Sequence, residues 1–219
     1  MISLPKHSTV DSEIKVCKSK DMFVPYAERS HEKMKEVLMH PGAPGPAIHY
    51  YMIRGGKDKT NITVWESGTV GGEYIKTYGH YHIGHLDETY TIAAGEGVIL
   101  LQNRKKDVND NPIDDEIVEF YAIKVKVGDK VFIPSGRGHL ACNIGQVWFV
   151  TIDDSPVNFA EVDPVSLPGH ADYEPIKKLR GFAYYMVEEG GKPTLVKNPS
   201  YKVVPQAQWL TPQEYAQRI

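Results

Sequence analysis

Residues 77–90 read "TYGHYHIGHLDETY" and gather His80, His82, His85, Asp87 and Glu88 into fourteen positions of a 219-residue chain. If residues 74–82 form a β-strand, side chains alternate between its faces, so His80 and His82 point the same way, together with Tyr78. Two imidazoles on one face can reach one ion. Glu88 and Tyr90 are likewise two apart on the strand that follows, and the intervening "IGHLD" is long enough to turn the chain back beside its start. That brings a carboxylate to the two imidazoles and leaves His85 in the turn, outside the ligand set.

A second stretch, "GDKVFIPSGRGHLACN" at residues 128–143, ends a strand at Pro134, turns through glycine and opens the next strand at His139. Its natural use is as a fourth ligand facing into the same barrel. His80, His82, Glu88 and His139 together suit Fe(II), Mn(II), Ni(II), Co(II) or Zn(II), and such a set leaves room for water or substrate. His7, His31, His40 and His49 are read as carrying no chemistry. Cys17 and Cys142 are the only cysteines, too few for a disulfide framework or a cysteine-rich zinc site. Any metal is therefore held by histidine and carboxylate.

The bulk properties narrow the partners. Hydrophobic residues make up 41%, charged residues 24%, and the formal net charge is -3, which gives no reason to expect a nucleic acid. The opening "MISLPKHSTVDSEIKV" lacks the apolar run of a signal peptide, and no stretch approaches the length of a membrane-spanning helix. A soluble, cytoplasmic protein without a membrane partner is expected.

The chain outside the two motifs reads as short β-rich pieces, from "AIHYYMI" to "VWFVTID", separated by Gly, Asp, Asn and Pro, the pattern of an antiparallel sandwich or barrel. Ahead of them, "RSHEKMKEVLMHPGAPGP" predicts one short helix capped by Ser30, with Met34, Val37 and Leu38 at helical spacing. The stretch "NRKKDVNDNPIDDE" at 103–116 reads as a solvated hairpin loop. Residues 154–180 are irregular and Pro-rich, suited to wrapping the barrel or covering its mouth. "GFAYYMVEE", a Gly-Gly turn and "PTLVKN" predict a late hairpin. In "LTPQEYAQRI", Thr211, Pro212 and Glu214 form the signature of a capped helix. The expected organisation is an N-terminal segment with a short helix (1–46), a barrel (47–201) and a C-terminal helical extension (202–219).

The two motifs resemble those of the cupins: His80, His82, Glu88 and Gly95 for the first, Gly128, Pro134, Gly136, His139 and Asn143 for the second. The first holds more residues between His82 and Glu88 than the wider pattern and has Tyr74 where a glycine usually leads. In the form Thr77-x-Gly79-His80-x-His82, then Glu88-x-Tyr90, it resembles the cupin-type phosphoglucose isomerase family. The likeness extends upstream through "NITVWESGTVGGEYIKT", with Thr63 fourteen residues before Thr77, and downstream through "PGHADYEPI", which supplies His170, to "GFAYYMVEEGGKPTLVKNPSY". Here the spacer before Glu88 is one residue shorter than the family's. Either Tyr50 or Tyr51 stands for its first phosphate-side tyrosine, and residues 154–168 are longer than its link and lack its pocket tyrosine.

The resemblance implies an all-β fold, a single cupin (jelly-roll) β-barrel with short N-terminal and C-terminal helices. It implies reversible conversion of glucose 6-phosphate and fructose 6-phosphate, in glycolysis or gluconeogenesis, by a homodimer with one divalent transition metal per subunit. Fe2+ is the first choice, and Mn2+, Ni2+, Co2+ and Zn2+ are the others. The metal ligands implied are His80, His82, Glu88 and His139. Glu88, Tyr90 and His170 are the catalytic residues, and Thr63, Thr77 and Gly79 hold the phosphate. Three histidines and a glutamate serve an iron-dependent cupin oxygenase equally well, and a non-catalytic sugar- or metal-binding cupin is the other class of reading.

Overall fold

The computed structural model describes residues 27–53, 61–155 and 171–219. Its strands are β1 (Ala27–Ser30), β2 (Ile48–Ile53), β3 (Asn61–Trp65), β4 (Thr69–Val70), β5 (Glu73–Tyr74), β6 (Tyr81–His82), β7 (Glu88–Ala94) and β8 (Glu96–Lys106). They continue as β9 (Pro112–Lys126), β10 (Lys130–Ile133), β11 (Gly138–Asn143), β12 (Phe149–Asp153), β13 (Ala171–Asp172), β14 (Tyr184–Glu189), β15 (Lys192–Lys197) and β16 (Gln208–Leu210). The helices are short: α1 (His31–Met34), α2 (Glu174–Lys178) and α3 (Pro212–Ala216).

Two sheets define the architecture. In the first, the order β3-β12-β7-β10 is extended by β2 and β1 beyond β3. In the second, β11-β8-β9 is completed on the β11 side by residues 76–80, which bridge to it through Lys76–Cys142 and His80–His139. Strands that are distant in sequence alternate across both sheets in the nested order of a jelly roll. The all-β jelly-roll class expected from the sequence is thus the one found.

Alternation builds the interior. Along β3 (NITVW) and β12 (FVTID) every second side chain is buried, which turns Trp65 and Phe149 inward to pack at a centroid distance of 5.1 Å. The Phe149 ring lies against Gly97 of the opposite sheet, where an added Cβ would meet it at 2.5 Å. The same inward rows become polar toward one end, where Asn61, Asp153 and Tyr90 are paired in register across β3, β12 and β7. An apolar floor and a polar rim place the pocket at that end.

The terminal elements are tied down by specific polar contacts. Ser30 caps α1 by accepting from the Lys33 amide, and Met34, Val37 and Leu38 are buried, as the spacing predicts. The Lys76 ammonium donates to the Val37 carbonyl at 2.7 Å and pairs with Glu73 at 2.5 Å. Glu73 in turn accepts from the Met39 amide. The Gly190–Gly191 turn has φ of 58° and 76°, the positive values that a two-residue hairpin of type I′ demands, and it joins β14 to β15 as expected. The capping box of Thr211 and Glu214 is present at α3.

Three expectations are corrected. Residues 74–82 are not one continuous strand: Gly79 has φ +80° and resets the alternation, so Tyr78 does not share a wall with His80 and His82. Its hydroxyl donates to Glu36 instead. The stretch 103–116 is mostly strand: the β8–β9 ladder runs out to Lys106 and Pro112, with the Arg104–Asp114 and Lys105–Glu116 ion pairs across it, and only 107–111 form the tip. The C-terminal extension is not solely helical, since β16 adds a parallel strand to β9. Within 154–180, residues 156–170 lie outside the described residues, and α2 follows them.

Candidate metal centre and pocket

The histidine cluster is assembled by backbone pairing. His80 and His139 exchange both amide-to-carbonyl hydrogen bonds, at 3.2 and 3.0 Å, and so sit directly opposite one another. His82 follows on β6. The ligand nitrogens of His80, His82 and His139 all lie within 4.8 Å of one another, so the three can hold a metal ion. Glu88 joins them from β7, with Oε1 at 2.7 Å from His139 Nε2 and 3.5 Å from His82 Nε2.

The short spacer succeeds because the second motif grips it. The Ser135 hydroxyl accepts from the Leu86 amide and donates to the Gly84 carbonyl, while the Ser135 amide donates to Asp87. His85 is exposed in this turn. The Leu86 carbonyl accepts from His82 Nδ1 at 2.9 Å, and the Arg137 carbonyl from His139 Nδ1 at 3.3 Å. A carbonyl only accepts, so Nδ1 carries a proton in both rings. Nε2 is thereby left as the nitrogen turned toward Glu88, the one a metal would take.

Electrostatics points the same way. Burial, together with the neighbouring His139, lowers the pKa of His82 below the ordinary histidine value. Burial also opposes a charge on His139, but the Glu88 carboxylate outweighs it and raises that pKa. The negative charge of Glu88 therefore favours positive charge where the nitrogens converge. Three imidazoles, two of them oriented through Nδ1 by backbone carbonyls, and a buried carboxylate form a donor set that fits a divalent transition ion.

Beside this cluster lies a cavity lined by Thr63, Thr77, Gly79, His80, Glu88 and Tyr90. Thr77 is held by β11: its amide donates to the Ala141 carbonyl, and its hydroxyl oxygen accepts from the Ala141 amide at 3.1 Å. Gly79 admits no side chain, since a Cβ would stand 2.7 Å from the Phe182 ring at a φ that already favours glycine. The Tyr90 ring meets His139 edge-on at 5.9 Å. Asn143 of the second motif plays a different part, donating to the carbonyls of Glu66 and Val147 and so closing a turn.

The pocket also contains Met52, Asp153, Ser155 and Tyr173, which sequence reasoning did not select, and Tyr50, one of its two tyrosine candidates. Of Tyr50 and Tyr51, Tyr50 lines the cavity, while Tyr51 stacks on Trp148 at 6.1 Å. Tyr173 packs its ring 5.1 Å from His80. It lies in the same "PGHADYEPI" segment that drew attention to His170, which itself falls outside the described residues.

A family model described as glucose-6-phosphate isomerase matches residues 50–203. This chain belongs to that family. Glucose-6-phosphate isomerases of Thermococcus onnurineus and Pyrococcus furiosus are each 32% identical to it, over 141 and 142 residues. Each match covers 64% of this chain and 62% of the relative, so the chain spans less than two thirds of the family members it resembles. Among solved structures, an oxalate oxidase gives a TM-score of 0.32 at 14% identity, over 48% of this chain and 40% of that one. The capsular polysaccharide assembling protein CapF of Staphylococcus aureus gives 0.33 at 21%, over 52% and 28%. These overlaps are too slight to bear on fold or function.

Proposed function

We propose that this protein is a metal-dependent aldose–ketose isomerase that interconverts glucose 6-phosphate and fructose 6-phosphate in the cytoplasm, in glycolysis or gluconeogenesis. The observation that carries the reading is one cavity in which Thr63, Thr77 and Gly79 share the lining with His80, Glu88 and Tyr90. His80, His82, His139 and Glu88 would hold one divalent ion, Fe2+ first and Mn2+, Ni2+, Co2+ or Zn2+ otherwise. When bound, such an ion supplies electrophilic polarisation of the sugar carbonyl.

The chain's own groups do the rest. The hydroxyls of Thr63 and Thr77 and the amide of Gly79 donate to phosphate oxygens and fix the sugar's far end. Glu88 moves the proton between C1 and C2, and Tyr90 hydrogen-bonds the adjacent oxygens. His170 serves ring opening. The alternative to proton transfer is a direct hydride shift between C1 and C2. Turnover in D2O separates the two, since transfer through Glu88 brings solvent deuterium into the product and a shift does not.

Strand β10 forms one edge of the six-stranded sheet and leaves Phe132 exposed, which suits pairing with a second copy in a homodimer. The deciding experiment is a coupled assay on fructose 6-phosphate with chelated protein, then with protein reloaded with each of the five metals. Turnover that returns with metal supports the reading, and no turnover with any of them overturns it. Oxygen consumption in place of isomerisation would make the protein an oxygenase, and sugar binding without turnover would make it a sensor.

A further inference from the structure

Two carboxylates, not one, face the pocket. Glu88 is committed to the histidine cluster, with Oε1 at 2.7 Å from His139 Nε2. Asp153, 5% exposed, lines the same cavity from the end of β12. It is not one of the three grouped histidine ligands or their close carboxylate partner. In register it stands between Asn61 of β3 and Tyr90 of β7.

Its orientation is strongly set. Oδ1 accepts from Asn61 Nδ2 at 2.6 Å, from Ser155 Oγ at 2.6 Å and from the Ser155 amide at 3.3 Å. Asn61 Nδ2 reaches the Ser155 carbonyl as well, at 2.9 Å. The turn to Ser155 does not itself call for a charge, because an asparagine makes the same local hydrogen bonds. The negative field of Asp153 extends to both His82 and His139. Sugar hydroxyls are a ligand chemistry that a carboxylate lining a pocket recognises, since each donates a charge-assisted hydrogen bond to it.

The position along the strand fits. Thr63 and Asn61 are two residues apart on one face of β3, a separation of about 7 Å. The layer holding Asp153 is thus offset from the Thr63 layer by about the length of a few carbon atoms. That offset matches the reach from a phosphate held at Thr63 to the hydroxyl-bearing carbons of the same sugar. We propose that Asp153 contacts substrate by accepting hydrogen bonds from the hydroxyls of the sugar chain, with Asn61 and Ser155 as its positioning residues. The proposal rests on the sugar-phosphate reading given above.

The test uses calorimetric titration of the metal-loaded protein with a hexitol 6-phosphate, which has no carbonyl and cannot turn over, and separately with inorganic phosphate. Asp153→Asn is expected to weaken hexitol phosphate by about tenfold or more, the value of a lost charged hydrogen bond, and to leave inorganic phosphate unchanged. In the isomerase assay its KM should rise by a similar factor while kcat changes little. Ser155→Ala keeps the carboxylate but removes one of its donors, and should raise KM by a smaller factor; it serves as the test should Asp153→Asn fail to unfold cooperatively. Unchanged hexitol phosphate binding in Asp153→Asn, or a loss confined to kcat, overturns the proposal. A wild-type protein that binds phosphate but not hexitol phosphate also overturns it. A wild-type protein that binds neither overturns the sugar-phosphate reading itself.

Discussion

Two clusters of histidine stand among the described residues, and the same side chain serves opposite ends in them. At the pocket, His80, His82 and His139 turn their ligand nitrogens to within 4.8 Å of one another, and backbone carbonyls occupy Nδ1 of His82 and His139. Under α1, His31 Nδ1 meets His49 Nε2 at 2.9 Å, and His31 Nε2 meets the Ala43 carbonyl at 3.1 Å. There three of the four ring nitrogens are spent on each other and on the backbone, and none meets a carboxylate among the described residues. Burial pushes the His49 pKa down to about 4, helped by His31 and Lys76. A histidine cluster can hold a metal when its ring nitrogens converge on one point beside a carboxylate; when they close on one another it is a buried polar clasp that fastens the N-terminal segment to β2.

The contrast can be broken at its strongest point first. His139→Ala should lose bound metal and turnover together, by more than about a hundredfold in metal affinity, because orienting partners alone are worth up to that much. His49→Gln should retain full metal content when both are measured by elemental analysis. Equal metal loss in the two variants would erase the distinction. Glu88→Gln is next: a drop of about a thousandfold in kcat is expected for loss of a general base, with sugar-phosphate binding kept. Near-normal turnover would remove Glu88 from that role.

The clasp has its own signature, in stability rather than activity. A histidine whose pKa is lower in the folded state stabilises the protein above its unfolded value and loses that contribution as pH falls toward the folded one. For His49 the window runs from 6.5 down to about 4. Chelated wild-type protein should lose about 2 kcal/mol of unfolding free energy between pH 7.5 and 5 through this group, and His49→Phe should lose correspondingly less. Parallel denaturant curves for the two proteins at both pH values would rule the clasp out. The smallest effect is expected at the phosphate end. Thr77→Val should raise KM by about tenfold, as one hydrogen bond to a charged group is removed, and should leave kcat nearly unchanged. An unaltered KM would take Thr77 out of the phosphate site.

Much of the fold was legible because its signals are local. Alternating apolar residues in "NITVW" and "FVTID" announce half-buried strands, the Gly-Gly pair announces a hairpin, and Thr211-Pro212 with Glu214 announces a capped helix. The errors arose where a local rule was overridden. Alternation placed Tyr78 beside His80 until the positive φ of Gly79 reset the faces. The charges of 103–116 read as a loop, yet the β8–β9 ladder runs out to Lys106 and Pro112, with Arg104 paired to Asp114 across it. No local signal marked β16, whose three residues depend on a parallel edge offered by β9.

The sequence by itself determined the chemistry available: the paired spacing of His80 and His82, the carboxylate of Glu88, and the second motif that delivers His139. Each of those is a short stretch whose residue types and spacing can be read without knowing its neighbours in space. Only the tertiary structure decided which neighbours share the pocket. Tyr50 rather than Tyr51, Tyr173 behind His80, and Asp153 locked between Asn61 and Ser155 all depend on the register of strands far apart in the chain. Shifting one of them by a single residue would turn its pocket side chains to the opposite face. Register is set by what the whole barrel buries, and no short stretch contains that information.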